Sequence, residues 1–350
     1  MIAAAFAIPG DLNLPTGGYV YARHVLQRFP RAGVSLAHVQ LPPSFPAASG
    51  EDIAATVRRL DALAPETIIL FDGLAYGAMP AAALAGLKQP IVALVHHPLG
   101  LEAGLSLARQ RQLTDLETAA LALARRVIVT SRATQRTLVQ DFAVAAGKIT
   151  VAEPGTQRAQ RARGSGRGAR PQVLAVGSIV PRKAYDVLVR ALEPLAALPW
   201  QLTIVGATDR SPPALAQLKA AMAETGLGPR IAIAGPLSQD ELAVHYDCAD
   251  LFVLPSLYEG YGMVLAEAMA RGLPIVCTTG GAAAETVPGG AAIKVAPGDG
   301  AALSAALFRV LSDPSLRAEL AAGAWAAGQD LPGWEDTARI IAGVITESAA

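Results

Sequence analysis

Two carboxylates, Glu259 and Glu267, are separated by seven residues in the run Pro255-Ser256-Leu257-Tyr258-Glu259-Gly260-Tyr261-Gly262-Met263-Val264-Leu265-Ala266-Glu267. Almost nothing around them can neutralise a negative charge. Upstream, Cys248-Ala249-Asp250-Leu251-Phe252-Val253-Leu254 reads as a short buried strand, and downstream Gly262 to Arg271 reads as an Ala-rich helix. Glu259 therefore falls in the loop at a strand's carboxyl end, and Glu267 within the helix that follows. A carboxylate among Leu265, Ala266, Ala268 and Met269 is expensive to desolvate unless it receives hydrogen bonds. Paired hydroxyls, such as those of a ribose or a hexose, supply them.

Other candidate residues also follow expected strands, where open α/β sheets bind ligands. Thr16-Gly17-Gly18 opens a helix after the first strand, and its backbone amides suit a phosphate, although the pair equally suits an ordinary turn. Gly177 and Ser178 begin the loop that leads to Pro181-Arg182-Lys183. Adjacent Arg182 and Lys183 at a loop-to-helix junction can neutralise a diphosphate, Arg as a planar fork and Lys as a mobile point charge. The helix dipole disfavours cations at that end, which argues for a ligand. His96-His97-Pro98 closes another strand; neighbouring residues there point to opposite faces, so at most one of the two histidines faces the cleft, where it serves either a sugar hydroxyl or phosphate contact or a structural hydrogen bond. No carboxylate or Cys stands at metal-ligand spacing from them, so no metal site is expected. Gly260-Tyr261-Gly262 exposes amides at the start of the Met263 helix, with Met263 and Val264 next in line. Gly280-Gly281, followed by Glu285, marks a further loop that serves either a contact or a tight turn.

The elements that position these residues alternate. In the first half, strands are expected at Ile2–Ile8, Ser35–Gln40, Thr67–Phe71, Ile91–His96, Arg126–Thr130 and Lys148–Val151. Helices fall between them at Tyr19–Phe29, Glu51–Leu63, Met79–Leu87, Leu107–Arg125 and Ala133–Phe142. The stretch 153–171 then changes to Gln, Arg, Gly, Ser and Pro, as in a solvated, flexible linker. Its Gly164-Ser165-Gly166-Arg167-Gly168 follows no strand and is not a dinucleotide fingerprint. Strands resume at Gln172–Val176, Gln201–Val205, Arg230–Ala234, Leu251–Leu254, Pro274–Thr278 and Ala292–Val295. The intervening helices lie near Ala184–Leu195, Ala214–Thr225, Gln239–Asp247, Met263–Arg271, Gly300–Ser312 and Pro314–Gly328. A last amphipathic helix runs from Trp334, with Ile340, Ile341 and Val344 on one face. The pattern is α/β: two doubly wound parallel-sheet domains, residues 1–152 and 172–333, joined by a basic linker at 153–171 and presenting their strand ends across a cleft.

Composition limits the alternatives. The 350 residues are 52% hydrophobic and 17% charged, which supplies large cores and excludes disorder. No stretch approaches the ~20 uninterrupted apolar residues of a spanning helix. The opening Met1–Gly10 lacks the basic flank of a signal peptide and reads as a core strand. Cys248 and Cys277 both lie in apolar, strand-like surroundings, so no disulfide is expected and a cytoplasmic setting fits. Basic and acidic residues number 13 and 10 in 1–150, 5 and 1 in 151–172, and 11 and 18 in 173–350. The basic first half suits an anionic acceptor or a peripheral membrane surface as well as ordinary solvation. Basic patches interleaved with aromatics are absent, so no nucleic-acid partner is expected.

The Glu259-to-Glu267 run, preceded by Asp250-Leu251-Phe252-Val253-Leu254-Pro255-Ser256 and followed by Ala268-Met269-Ala270-Arg271-Gly272-Leu273-Pro274-Ile275-Val276, resembles the E-x7-E motif of the family 4 retaining glycosyltransferases. The resemblance covers essentially the whole chain and is strongest from Gln172 to Asp299. It implies the GT-B fold: two Rossmann-like domains facing a cleft, with a C-terminal helix, about 334–350, crossing back to the N-terminal domain. The first domain would hold the acceptor and the second the nucleotide-sugar donor. Glu267 would bind the ribose hydroxyls, Glu259 with the Gly260–Met263 amides the donor sugar, and Arg182 and Lys183 the diphosphate. Gly17 and Gly18 would contact the diphosphate or acceptor region, and His96 the donor sugar. Two departures stand out: Ser178-Ile179 where the family often has Arg-Leu, and Ala184 where a Gly usually follows the Lys.

The expected reaction is hexosyl transfer from a UDP- or GDP-sugar to a sugar or lipid-linked acceptor hydroxyl, with retention and without a metal or resident cofactor. Arg182, Lys183 and the helix amides would stabilise the departing diphosphate, as suits glycan, lipopolysaccharide or glycolipid assembly. A nucleotide-sugar 2-epimerase shares the architecture but would need further acid and base carboxylates. A non-catalytic sugar-nucleotide-binding subunit is the other alternative, whereas a dehydrogenase lacks its G-x-G-x-x-G fingerprint in either half.

Overall fold

The computed structural model describes residues 2–166, 168 and 170–349, with the side chains of Arg31 and Ala32 also left out. Arg167, within the rejected glycine-rich motif, therefore lies outside the described residues, as do Ala169 of the expected linker and Ala350 of the expected last helix. The chain divides into two compact units, Met1–Gly155 with Pro332–Ala350, and Thr156–Leu331.

In the first unit, apolar runs that lack helical periodicity become strands buried on both faces. They are β1 (Ile2–Pro9), β2 (Val34–Leu41), β3 (Ile68–Asp72), β4 (Ile91–Val95), β5 (Arg126–Val129) and β6 (Ile149–Val151). Helices α1 (Gly17–Arg28), α2 (Gly50–Asp61), α3 (Gly73–Tyr76), α4 (Ala81–Leu84), α5 (Leu107–Leu123) and α6 (Arg132–Asp141) alternate with them. All strand pairs are parallel, in the order β2-β1-β3-β4-β5-β6, so the order reverses between β1 and β3. Local chemistry sets the boundaries: Ser49 and Asp52 form a reciprocal capping box on α2, and Asp72 caps α3 by accepting from the Leu74 amide.

The second unit repeats the plan with β7 (Gln172–Val176), β8 (Gln201–Val205), β9 (Ile231–Gly235), β10 (Leu251–Leu254), β11 (Ile275–Thr278) and β12 (Ala292–Val295). Its helices are α7 (Tyr185–Leu192), α8 (Pro212–Glu224), α9 (Gln239–Cys248), α10 (Met263–Met269), α11 (Ala283–Thr286), α12 (Gly300–Ser312) and α13 (Pro314–Gln329). The sheet order is β12-β11-β10-β7-β8-β9, again all parallel, and it reverses between β7 and β10. Strand alternation divides the core in two. Val173, Ala175, Leu251 and Val253 pack into the cluster on one face, and Leu174, Val176, Phe252 and Leu254 into the cluster on the other.

The last helix, α14 (Trp334–Ala349), packs on α1 and over β1, β3, β4 and β5 of the first unit. Its buried stripe is Trp334, Ala338, Ile341, Val344 and Ile345. Ile340, expected on that stripe, is exposed because one residue of helix turns a side chain by about 100°. Two further expectations change. Cys248 ends α9 and is exposed, unlike buried Cys277; both are free thiols. The 153–171 stretch has no helix or strand among its described residues after Val151, but it is anchored rather than loose. Ala162 donates to the Arg271 carbonyl at 2.9 Å, the Arg163 guanidinium to Asp247 at 2.7 Å, and the Ser165 amide to Asp250 at 3.1 Å.

Candidate nucleotide-sugar site

The loops after β7 and β10 lie side by side where the second sheet reverses its strand order, the place at which open α/β sheets form ligand crevices. A short 3-10 turn, Pro181–Lys183, carries the two cations toward the β10 loop. There the Lys183 ammonium sits 2.6 Å from Glu259 Oε1 and the Arg182 guanidinium 3.2 Å from the same oxygen. The backbone locks this register. Leu257 donates its amide to the Arg182 carbonyl at 2.7 Å, and Arg182 Nη1 donates to the Tyr258 carbonyl at 2.7 Å. Glu259 is only 6% exposed and Lys183 8%. Burial pushes the Glu259 carboxyl up, but Lys183 and then Arg182 more than offset it and hold the group down at about 2. One buried anion thus organises two cations, and the three groups together carry a net positive charge.

Glycines bring the pieces into contact. A Cβ on Gly280 would overlap the Leu257 carbonyl, and one on Gly281 the Glu259 carbonyl, so both positions require close backbone approach. Gly281 bridges Glu259 as a parallel strand pair, with the Glu259 amide donating to Gly280 at 3.1 Å and the Ala282 amide to Glu259 at 2.8 Å. The Gly280-Gly281 pair is therefore the floor under the Glu259 loop, while Glu285 is exposed. A Cβ on Gly177, at φ +152, would run into Lys183 Cε and the Tyr185 hydroxyl, and that hydroxyl donates to the Gly177 carbonyl at 3.2 Å. Ser178 follows half-buried in the same loop.

Ala184 takes up the left-handed conformation, φ 48 and ψ 42, that a glycine would adopt without a steric penalty. The turn survives the substitution and carries local strain. Ala184→Gly is expected to raise the melting temperature slightly, by no more than about 1 kcal/mol in stability, and a lower melting temperature would contradict this reading of the turn.

Gly262 caps α10 in the left-handed region, at φ +87, and turns the chain into a helix whose first amides, including those of Met263 and Val264, precede its hydrogen-bonded turns. Tyr261, a sequence candidate for ligand contact, places its ring in the hydrophobic core, and its carbonyl accepts from Thr286. With the residue 7% exposed, its ring belongs to the core rather than to the loop surface. Glu267 does not join the Glu259 cluster. Its Oε2 accepts from the buried Tyr246 hydroxyl at 2.9 Å, and burial pushes its carboxyl above the ordinary range despite Tyr246 and Arg271.

In the first unit the corresponding strand ends bring together Gly17-Gly18, Asp72 and His96. A Cβ on Gly18 would touch the His96 imidazole at 3.7 Å, and Gly17 beside it is exposed. His96 Nε2 lies 3.4 Å from Asp72 Oδ2, and its ring stands edge-on to Tyr21 at 5.1 Å. His97 pairs instead with Glu102 at 3.5 Å, so His96 is the histidine on the glycine side. Asp72, Tyr185 and Tyr246 escaped the sequence reading. Asp72 carried one usable signal, a carboxylate closing an apolar run, whereas the two tyrosines read as ordinary core residues.

Residues 19–159 match the family model described as Glycosyltransferase Family 4, and residues 170–313 match the one described as Glycosyl transferases group 1. The D-inositol 3-phosphate glycosyltransferase of Salinispora tropica is 31% identical over 260 residues, 67% of this chain and 53% of that protein. The GDP-mannose-dependent alpha-(1-6)-phosphatidylinositol monomannoside mannosyltransferase of Mycobacterium tuberculosis is 34% identical over 129 residues, covering 34% of this chain and 32% of that one. The chain spans about half the length of the first curated relatives it matches. Among solved structures, sucrose-phosphate synthase from Thermosynechococcus elongatus superposes with a TM-score of 0.83 at 22% identity over 99% of both chains. Anabaena HepE, in complex with UDP and glucose, gives 0.78 at 19% identity over 99% of this chain and 100% of that one. The fold they share is GT-B. With both halves matched and the E-x7-E carboxylates set at the reversal of the second sheet, the chain belongs to the family 4 glycosyltransferases.

Proposed function

We propose that this protein transfers a hexosyl group from a nucleoside diphosphate sugar, a UDP- or GDP-hexose, to a sugar or lipid-linked acceptor hydroxyl, with retention of anomeric configuration. The observation that carries the reading is the Arg182–Lys183–Glu259 cluster at the strand-order reversal of the second unit. In the reaction the anomeric carbon's bond to the diphosphate oxygen breaks and its bond to the acceptor oxygen forms. The acceptor proton passes to the departing phosphate on the same face, so no separate base is required. Arg182 and Lys183 meet the charge that develops on the leaving group, and the Met263 and Val264 amides add fixed dipoles. Side-chain cations thus take the part that a metal ion plays in other transferases. Glu267 binds the ribose hydroxyls, and His96 with Gly17 and Gly18 meets the sugar and acceptor.

Support for the donor class comes from relatives named for GDP-mannose and crystallised with UDP and glucose. No helix among the described residues is long and apolar enough to cross a membrane. A cytoplasmic location with peripheral contact to a membrane surface belongs to the same proposal. A thermal-shift panel of UDP-, GDP- and ADP-sugars, followed by transfer assays with the stabilising donor, tests it; no stabilisation by any of the three sinks it. Glu267→Ala is expected to weaken nucleotide binding roughly 10- to 100-fold, the equivalent of losing about 1.5–3 kcal/mol of charge-assisted hydrogen bonding. Calorimetry that finds wild-type affinity removes Glu267 from the ribose contact.

A further inference from the structure

We propose that Tyr246 is a positioning residue for the nucleotide: through its hydroxyl and a brace formed with Arg271 and Phe252, it fixes the Glu267 carboxylate in the orientation that selects a complete ribose. The inference rests on the reading of Glu267 as the ribose acceptor and extends it to residues on two further elements.

Tyr246 lies on α9, Glu267 and Arg271 on and just after α10, and Phe252 on β10. The Tyr246 ring is buried and stacks on Phe252 with centroids 5.9 Å apart and planes 20° from parallel. The Arg271 guanidinium covers the ring at 4.4 Å from its centroid, close enough for a cation–π interaction. The same guanidinium donates to the Glu267 carbonyl at 3.0 Å. Arg271 therefore holds both the tyrosine and the backbone of the residue that the tyrosine bonds. The hydroxyl donates to Oε2 at 2.9 Å, while no protein donor reaches Oε1 among the described residues. A carboxylate has about four acceptor positions. With Oε2 tied to a rigid ring, Oε1 and the remaining lone pairs keep a fixed direction for the ligand.

Without that tie, Glu267 has three side-chain torsions and one end in an apolar wall. Its carboxylate would then explore orientations in which the two vicinal hydroxyls cannot both be met. The brace is itself anchored outside the site. The connector segment bonds the Arg271 carbonyl through Ala162 and the Asp247 carboxylate, next to Tyr246, through Arg163.

The test measures calorimetric affinities for UDP and GDP and for their 2′-deoxy and 3′-deoxy counterparts, in the wild type, Tyr246→Phe, Glu267→Gln and the double variant. Phe keeps the ring, its stacking and the cation above it, and removes only the hydroxyl. The expected result is a ribose-over-deoxyribose preference that falls about 5- to 20-fold in Tyr246→Phe, as expected when one hydrogen bond to the ligand is weakened rather than abolished, with no further fall when the change is made in Glu267→Gln. A preference unchanged in Tyr246→Phe but lost in Glu267→Gln overturns the positioning role and leaves the ribose reading intact. A preference unchanged in Glu267→Gln overturns the ribose reading itself. If Tyr246→Phe does not fold, Phe252→Leu, which loosens the ring while keeping its hydroxyl and both Arg271 contacts, is the second variant: a fallen ribose preference supports the brace and an unchanged one overturns it.

Discussion

Lys183→Ala is expected to reduce kcat/KM for transfer by about 10²- to 10³-fold or more, the range seen when one donor to a developing anion is removed. It is also expected to destabilise the fold. Lys183 is not a loose surface cation but half of a buried pair 2.6 Å from Glu259. Removing one partner of a buried pair costs about 3–5 kcal/mol when the remaining charge is left alone; here Arg182, 3.2 Å from the same Glu259 oxygen, still faces it and lessens that loss. Chemistry and stability separate in the double variant Lys183→Met with Glu259→Gln, which removes the buried lysine and its buried carboxylate together and leaves only the half-buried Arg182 cation of the three. It should recover most of the melting temperature and none of the activity. Full activity in either variant removes Lys183 from the mechanism.

Acid titration gives an independent reading of the same pair. The Glu259 carboxyl is held at about 2 in the folded chain against 4.5 ordinarily. A depressed carboxylate stabilises the fold above its unfolded value, and that contribution disappears as the pH falls from about 4.5 towards 2. At 1.36 kcal/mol per unit it amounts to roughly 3 kcal/mol. Thermal melts of the wild type and Glu259→Gln should converge across that window.

Glu117→Gln should do the opposite and stabilise the protein at alkaline pH. Glu117 lies on α5, is 1% exposed, and accepts from the Leu99 amide at 2.8 Å while its carboxyl faces Gly77. Burial pushes its titration up to about 8, only partly opposed by the Leu99 amide. A raised acid carries no penalty below about pH 4.5; stability then falls as pH rises towards 8 and levels off above it. The full loss is on the order of 5 kcal/mol at 1.36 kcal/mol per unit. Gln keeps the acceptor oxygen and cannot ionise. The melting temperatures of the two proteins should differ little near pH 4.5 and diverge steadily to pH 8. A constant difference across that range would show that Glu117 does not change its ionisation there. The consequence reaches the site, because Leu99 is three residues after His96 on the loop that Glu117 holds.

The strands were legible because apolar runs such as Leu251–Leu254 have no helical period and end where carboxylates, histidines or glycines begin. The position of Glu259 and Glu267 after the β10 run was readable for the same reason. What escaped were pairings across long chain separations. Lys183 and Glu259 are 76 residues apart, and no periodicity in either segment points to the other. Tyr246 and Tyr185 sit in apolar surroundings where a hydroxyl leaves no pattern. Tyr261 shows the reverse: its place in a glycine-flanked loop pointed to its amide, and nothing in that pattern showed that its ring packs into the core. The connector was misread because composition reports solvation, whereas its anchors are backbone amides and arginines that bond to Asp247, Asp250 and Arg271.

The second unit is one uninterrupted segment, Thr156–Leu331, set into a first unit whose chain resumes at Pro332. On the first unit's side, Gly155 lies against the Trp334 backbone; on the second's, Arg158 bonds Gln329 at 3.1 Å. The ends of each piece are therefore neighbours. The second unit can be lifted out as a cassette and grafted between relatives at two adjacent seams, while the other half, cut after Gly155, would lose the helix that covers it unless the tail is spliced back.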